Sequence, residues 1–279
     1  MDSFDSYEDY ISVIDRIKRQ YKPVVTNCYL MRNEITRYIE QNRIFYETEE
    51  GGVLIFVDEI AFYSLYYYWN ISFQVMLAST DKMIVSKTLF MNQKRPDQIS
   101  MDELLNETGF VFGARMREAV KARPYSDSAL LNISKRIFDS SGLRIVGADW
   151  NMISRIREII SVDDELRSYE IPYMTDEEIV KAGQEGTFVC VLNKSDDLVA
   201  IRCNVTETSS NGYMRILDEY KARYGIAAVL LEYSDSRGER KGVKISGWIE
   251  EDNEKSVRLH MEMGRKWGNR YMEYLLRKP

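Results

Sequence analysis

Along the first third of the chain, apolar positions switch between two periods. Residues 5 to 20 put Tyr10, Ile11, Ile14 and Ile17 on one side of a helix, and residues 32 to 41 form a second helix. Strands are predicted over Val24 to Leu30, Arg43 to Thr48 and Gly51 to Val57, the last two meeting at the Gly51-Gly52 turn. Two more follow over Ala61 to Trp69 and Lys82 to Phe90. A short helix from Met101 stops at Gly109 and leads into a strand over Val111 to Ala119. The aromatic run from Phe62 to Trp69 reads as a central strand packed on both faces, with a substrate pocket as the alternative.

Lys121 to Ser128 forms a linker: Pro124 restricts the residue before it, and Ser126 or Asp127 offers a cap to the next helix. Beyond it the pattern predicts a helix over 128–139, a strand over 142–147, a helix over 149–160 and an acidic helix from Thr175 to Ala182. Phe188 to Leu192 and Leu198 to Val205 read as a hairpin across the polar loop 193–197. The chain therefore divides into residues 1–122 and 123–279.

Two parses compete around Gly225. In one, strand residues near Met214 to Leu217 lead into a turn, and a helix begins after Gly225. Its first N–H groups lack partners inside the helix and suit a diphosphate. In the other, Tyr213, Ile216, Leu217, Tyr220 and Tyr224 line one face of a helix stopped by Gly225, and Ile226 to Tyr233 is a buried strand. Downstream, Val243 to Ile249 reads as a strand, Glu250 to Asn253 as a helix-start signal, and Val257, Met261 and Gly264 fall at helical spacing. A last strand covers Arg270 to Leu276.

The segment Asn253-Glu254-Lys255-Ser256-Val257-Arg258-Leu259-His260-Met261-Glu262-Met263-Gly264 resembles the Asn-x-x-Ser/Ala-x-x-Leu-Tyr/His-x-x-x-Gly-Phe signature of the GCN5-related N-acetyltransferase (GNAT) superfamily. The Gly225 turn resembles that family's pyrophosphate loop, and one helix plus one strand fit between the two motifs. Ala222 departs from the family's Gln or Arg, leaving Lys221 or Arg223 to stand in, and Arg265 stands where Phe is usual. The resemblance implies an α/β (α+β) fold of two GNAT-like domains, each a mixed, mostly antiparallel sheet flanked by helices. It implies acetyl-CoA, or another acyl-CoA, held by Ile216, Leu217, Arg223, Tyr224, Gly225, Ile226, Ala227, Ala228, Asn253 and Ser256. It also implies acyl transfer to an amine of a small molecule or peptide. His260 would serve the departing thiolate as proton donor, and Glu207 is the candidate base. The ending Leu104-Leu105-x-x-x-Gly109-Phe110 echoes the close of such a unit without a Gly-rich turn ahead of it, which implies a degenerate, cofactor-free N-terminal copy.

Composition narrows the alternatives. The net charge of −6, from 38 basic and 44 acidic side chains, argues against a broad nucleic-acid footprint, although Arg237, Arg240, Lys241 and Lys244 cluster locally. Cys28, Cys190 and Cys203 are too scattered for a disulfide framework or a CxxC metal site and read as buried apolar residues. A single histidine excludes zinc sites built on His pairs. With no long apolar run and no signal-peptide pattern at the start, the default is a cytoplasmic protein without a membrane partner. A homodimer stays open. The rival functions are a non-catalytic binding protein of the same fold and a tandem-domain aminoacyl transferase that uses charged tRNA.

Overall fold

Strand β4 (Gly52–Asp58) carries Val53, Ile55 and Val57 on one face and Leu54 and Phe56 on the other, and all five are essentially without exposure. Such an unbroken apolar run is what a strand covered on both faces requires. Helices α1 (Tyr7–Gln20) and α2 (Arg32–Glu40) cover the first face, where Tyr10, Ile14, Ile17 and Ile35 pack on Val53, Ile55 and Val57. Helix α3 (Pro96–Glu107) covers the second, where Met101 and Leu105 meet Leu54, Phe56, Tyr67 and Trp69. The computed structural model describes residues 1–161, 174–206, 209–221, 223, 225–240 and 245–279.

Two compact units result: Met1–Arg115 with Arg270–Pro279, and Met116–Asn269. The sequence pattern suggests a division at 122, and by contacts Arg270–Pro279 groups with the N-terminal residues.

In the first unit, β1 (Asp2–Ser3), β3 (Ile44–Glu49), β4, β5 (Phe62–Trp69), β6 (Met83–Met91) and the C-terminal part of β13 (Arg265–Arg277) adjoin in that order. Every pairing is antiparallel except β5 with β6, which run parallel only from Phe62↔Met83 to Leu65↔Ser86. Past that point β5 pairs instead with the two-residue strand β2 (Val25–Thr26). Asn27 follows at once, 7% exposed. Its Nδ2 donates to Leu65 O and Lys87 O, both at 3.1 Å, and its Oδ1 accepts from Tyr67 N at 2.9 Å. The side chain thus stands in for a backbone between β5 and β6. The strand expected over 24–30 ends after two residues because Asn27 turns from strand-like continuation to this bridging. Helix α3 starts earlier than its periodicity suggested: Pro96 occupies the first turn, where no N–H is needed, and Gln98 Oε1 accepts from Arg95 N at 3.0 Å.

In the second unit, β11 (Ser209–Ile216), β10 (Leu198–Thr206), β9 (Phe188–Leu192) and β8 (Arg144–Gly147) form an antiparallel sheet. Helices α5 (Ile153–Ser161) and α6 (Asp176–Gln184) pack Ile156, Ile159 and Ile179 on the face of Cys190, Leu192 and Ile201. On the opposite face α4 (Ala129–Ser140) and α7 (Ile226–Arg240) pack Phe138, Ile226, Val229 and Leu230 on Val189, Val191 and Val199. The cap of α4 is Ser128, whose Oγ accepts from Leu131 N, rather than Ser126 or Asp127. Strand β12 (Ser246–Glu250) pairs antiparallel with residues 116–120 of β7 (Val111–Lys121), and α8 (Glu254–Glu262) follows it. No helix among the described residues is long and apolar enough to cross a membrane.

Candidate functional site

The helical parse of residues 213–224 is overturned. Ser209–Ile216 is a strand, Asp218–Tyr220 a single 3₁₀ turn, and the helix begins at Ile226. Gly225 closes the turn with φ +66, and its carbonyl accepts the first helical bond from Val229 N at 3.2 Å. The N–H groups of Ile226, Ala227 and Ala228 thereby fall in the first turn of a 15-residue helix, where the backbone offers no internal acceptor and the dipole favours an anion. Ile226 and Ala228 point into the core, Ala227 is half-exposed and Arg223 is exposed. Tyr224 and Glu207 lie outside the described residues.

Gly225 has a second constraint that its sequence context did not reveal. A Cβ there would stand 2.6 Å from the Cα of Ser134 on α4. The glycine is therefore required by helix packing as well as by its positive φ, and any side chain at this position disturbs the α4–α7 contact.

Strand β11 is the outer strand of its sheet and lies beside β12, and among the described residues the two strands belong to different sheets. The register with β10 decides which amides face that side. Leu217 N donates to Val199 O at 3.0 Å, and the ladder aligns Ile201 with Arg215 and Ala200 with Ile216. Alternation in an antiparallel ladder then turns the N–H groups of Ile216 and Met214 away from β10, toward β12. Leu217 N–H is already taken.

Asn253 caps α8: its Oδ1 accepts from Ser256 N at 3.1 Å, which ties together the two residues expected to meet a cofactor. His260 lies one turn further on, half-buried, with Nδ1 closed off and without a partner. Burial drives its pKa well below the usual histidine value, and the Arg265 and Arg202 guanidinium groups drive it further. An ordinary value near 6.5 is thus not the one that applies in the folded chain.

Arg265, at the place where an aromatic residue was expected, is 4% exposed. Its Nη2 meets Asp235 Oδ2 at 2.5 Å, its Nε donates to Tyr125 Oη at 3.2 Å, and the Tyr125 hydroxyl donates to the same carboxylate. Burial opposes the Arg265 charge, but Asp235 and Tyr125 outweigh it and the pKa rises. Arg202 on β10 is buried alongside and its Nε reaches Ser234 Oγ at 2.5 Å; burial pulls its pKa down to about 10. The sequence reading missed Asp235, Tyr125, Arg202 and Ser234. Asp235 lies on the α7 stripe of Ala228 and Leu231, so an acid at a core position opposite an arginine in place of phenylalanine was the available signal.

Other expectations land elsewhere. Arg237 donates to the Glu185 carbonyl, while Lys241 and Lys244 lie outside the described residues. Cys190 and Cys203 are buried and burial pushes their thiols up to about 12, whereas Cys28 is half-buried. A surface hollow lined by Lys121, Arg123, Tyr125, Glu232, Ser236 and Ile245 runs along the middle of α7 rather than at its start. Among the described residues no cluster of His, Cys, Asp or Glu could hold a metal ion.

No family model and no curated protein sequence matches the chain. Solved structures do match it in shape. A GCN5-related N-acetyltransferase from Sphaerobacter thermophilus aligns with a TM-score of 0.51 at 14% identity, covering 99% of this chain and 93% of that one. One from Kribbella flavida gives 0.51 at 11% identity over 86% and 91%. A GCN5-related glucosamine N-acetyltransferase region in a fungal multi-domain GH3 β-N-acetylglucosaminidase gives 0.58 at 10% identity, covering 97% of this chain and 37% of that chain. At such identities the likeness speaks for shape alone, and the shape is the GNAT fold.

Proposed function

We propose that the chain is an N-acyltransferase that moves an acetyl or related acyl group from acetyl-CoA to an amine. The observation that carries this reading is the pair β11 and β12, adjacent but in different sheets among the described residues, with the Gly225 turn at the end of β11 feeding the start of α7. The donors fit the ligand: three first-turn N–H groups and an exposed Arg223 suit a diphosphate. The outer side of β11 offers the Ile216 and Met214 amides to an extended amide-bearing arm. In the first unit the matching gap between parallel strands is filled by β2 and Asn27, which supports a single cofactor site per chain.

Acetyl-CoA when bound supplies an acyl thioester. The amine nitrogen bonds to the carbonyl carbon as the carbon–sulfur bond breaks; the amine loses a proton, the sulfur gains one, and amide and free thiol result. The Ile216 amide is the oxyanion donor we assign, since Leu217 is committed to β10. Glu207 stays the candidate base. His260, neutral in the fold, serves as a hydrogen-bond donor rather than as an imidazolium acid.

Gly225 cannot be used to test this, because its substitution damages packing. Ala227→Glu can: an acid in the first turn of α7 favours the helix while repelling a diphosphate. Calorimetric titration should show CoA and acetyl-CoA binding to the wild type, and Ala227→Glu should melt at an unchanged temperature with at least about a tenfold loss of affinity, or 1.4 kcal/mol. Absence of binding to the wild type at millimolar CoA, or full affinity in the variant, overturns the reading. Binding without thiol release across a panel of amines would favour a non-catalytic protein of the same fold.

A further inference from the structure

Two polar atoms of one buried ion pair are left over. Asp235 on α7 and Arg265 at the start of β13 have side chains 0% and 1% exposed, and they meet through Oδ2 and Nη2 at 2.5 Å. Asp235 Oδ2 also accepts from the Tyr125 hydroxyl, whose oxygen in turn accepts from Arg265 Nε at 3.2 Å. One edge of the guanidinium, one carboxylate oxygen and one hydroxyl thus close a ring of hydrogen bonds joining α7, β13 and the turn before α4. Asp235 Oδ1 and Arg265 Nη1 stand outside that ring. Both are fully enclosed, and neither has a hydrogen-bond partner among the described residues.

The hydroxyl next in sequence does not serve them. Ser234 Oγ accepts from Arg202 Nε at 2.5 Å and gives its one proton to Leu230 O at 3.0 Å. Charged groups enclosed without hydrogen bonds are costly, and in folded proteins they are satisfied by other protein atoms or by enclosed water.

Geometry bounds the separation of the two atoms. Oδ1 and Oδ2 share one carbon, as do Nη1 and Nη2, and the inner atoms are 2.5 Å apart. Oδ1 and Nη1 therefore lie farther apart than a direct hydrogen bond, yet no farther than two one-carbon spans added to that contact. One water, or a hydrogen-bonded pair, spans such a gap. Chemistry bounds the occupant. Oδ1 of the ionised carboxylate can only accept, and Nη1 can only donate. A halide accepts from Nη1 but would face a carboxylate oxygen, and a cation would face a guanidinium. Water both accepts and donates.

We propose that this is a hydration site built into the second unit: enclosed water accepts from Arg265 Nη1 and donates to Asp235 Oδ1. It forms a second arm beside the direct contact, so that both charges are satisfied without reaching solvent. The arginine that breaks the aromatic pattern at position 265 thereby holds water as well as a carboxylate, and ties the middle of α7 to β13. This site is independent of the acyltransferase reading.

A crystal structure of the full chain, at a resolution that shows ordered water, tests it. Water density should lie within about 2.7–3.2 Å of Asp235 Oδ1 and of Arg265 Nη1, as one molecule or a bonded pair. Direct contact between the two atoms, a protein group on either, or a peak with the anomalous scattering of a halide overturns the proposal. In solution, oxygen-17 relaxation dispersion counts waters held for longer than the protein takes to tumble. Asp235→Leu combined with Arg265→Phe should hold at least one fewer than the wild type, and an equal count in the folded double variant overturns the site. Should that variant not fold, the wild-type crystal decides alone. No CoA enters either measurement, so the outcome of CoA titration leaves this result untouched.

Discussion

Asp235 has no exposed surface and faces an arginine with almost none. Removing one member of such a pair strands the other in a medium that cannot hydrate it, at a cost of about 3–5 kcal/mol, whereas exchanging both for apolar groups is often neutral. Asp235→Leu should therefore lower urea stability by that amount, and Asp235→Leu with Arg265→Phe should recover most of it. Equal losses in single and double variants would mean that the pair is not coupled. His260 makes a second prediction at this scale. Its folded pKa lies below the unfolded value near about 6.5, so the unfolded chain binds more protons in acid. The contribution is complete above that unfolded value and declines as the pH falls toward the folded one, with a slope up to about 1.4 kcal/mol per pH unit. His260→Gln should flatten that slope between about pH 7 and 5, measured as the wild-type-minus-variant difference in unfolding free energy.

Among the elements, the first unit is most informative at its parallel pair. Strands β5 and β6 separate after Leu65 and Ser86, and the side chain of Asn27, just past the two-residue strand β2, satisfies Leu65 O, Lys87 O and Tyr67 N together. Asn27→Ala leaves these buried groups without that partner and should cost at least about 2 kcal/mol, at about 1–3 kcal/mol for a stranded group. A variant as stable as the wild type would show that the strands close up without Asn27. Elements with a strong local signature were legible: α1, α2, the β3–β4 hairpin, β9 and β10 fall within a few residues of their expected positions because 3.6- and 2-residue periods act over a single element. β2 and the start of α3 were not, because a side chain bridging to residues 65 and 87 and a proline at a helix start both interrupt the period that was being read. Gly225 was legible as a turn and illegible as a packing site, since Ser134 lies far from it in sequence.

For the whole molecule, one feature of each unit sets the expected stoichiometry. Among the described residues of the second unit β11 and β12 belong to different sheets, while in the first unit the separating strands are occupied by the chain itself. Calorimetry should accordingly give one CoA per chain. Two equivalents would mean that β2 and Asn27 are displaced on binding. With a net charge of −6, tRNA binding that weakens steeply with salt is not expected, and its observation would favour the aminoacyl-transferase alternative.

Local patterns in the sequence determined the order of helices and strands outside residues 213–233, the break at Gly225, the cap at Asn253 and the exclusion of histidine-pair metal chemistry, because each depends on residues within a few positions of one another or on composition. Tertiary structure alone decided the rest. It paired Asp235 with Arg265 and Tyr125, returned residues 270–279 to the first unit, and committed Leu217 N–H to Val199. The physical reason is that a buried polar group is defined by what surrounds it, and its surroundings come from segments that meet only when the chain has folded.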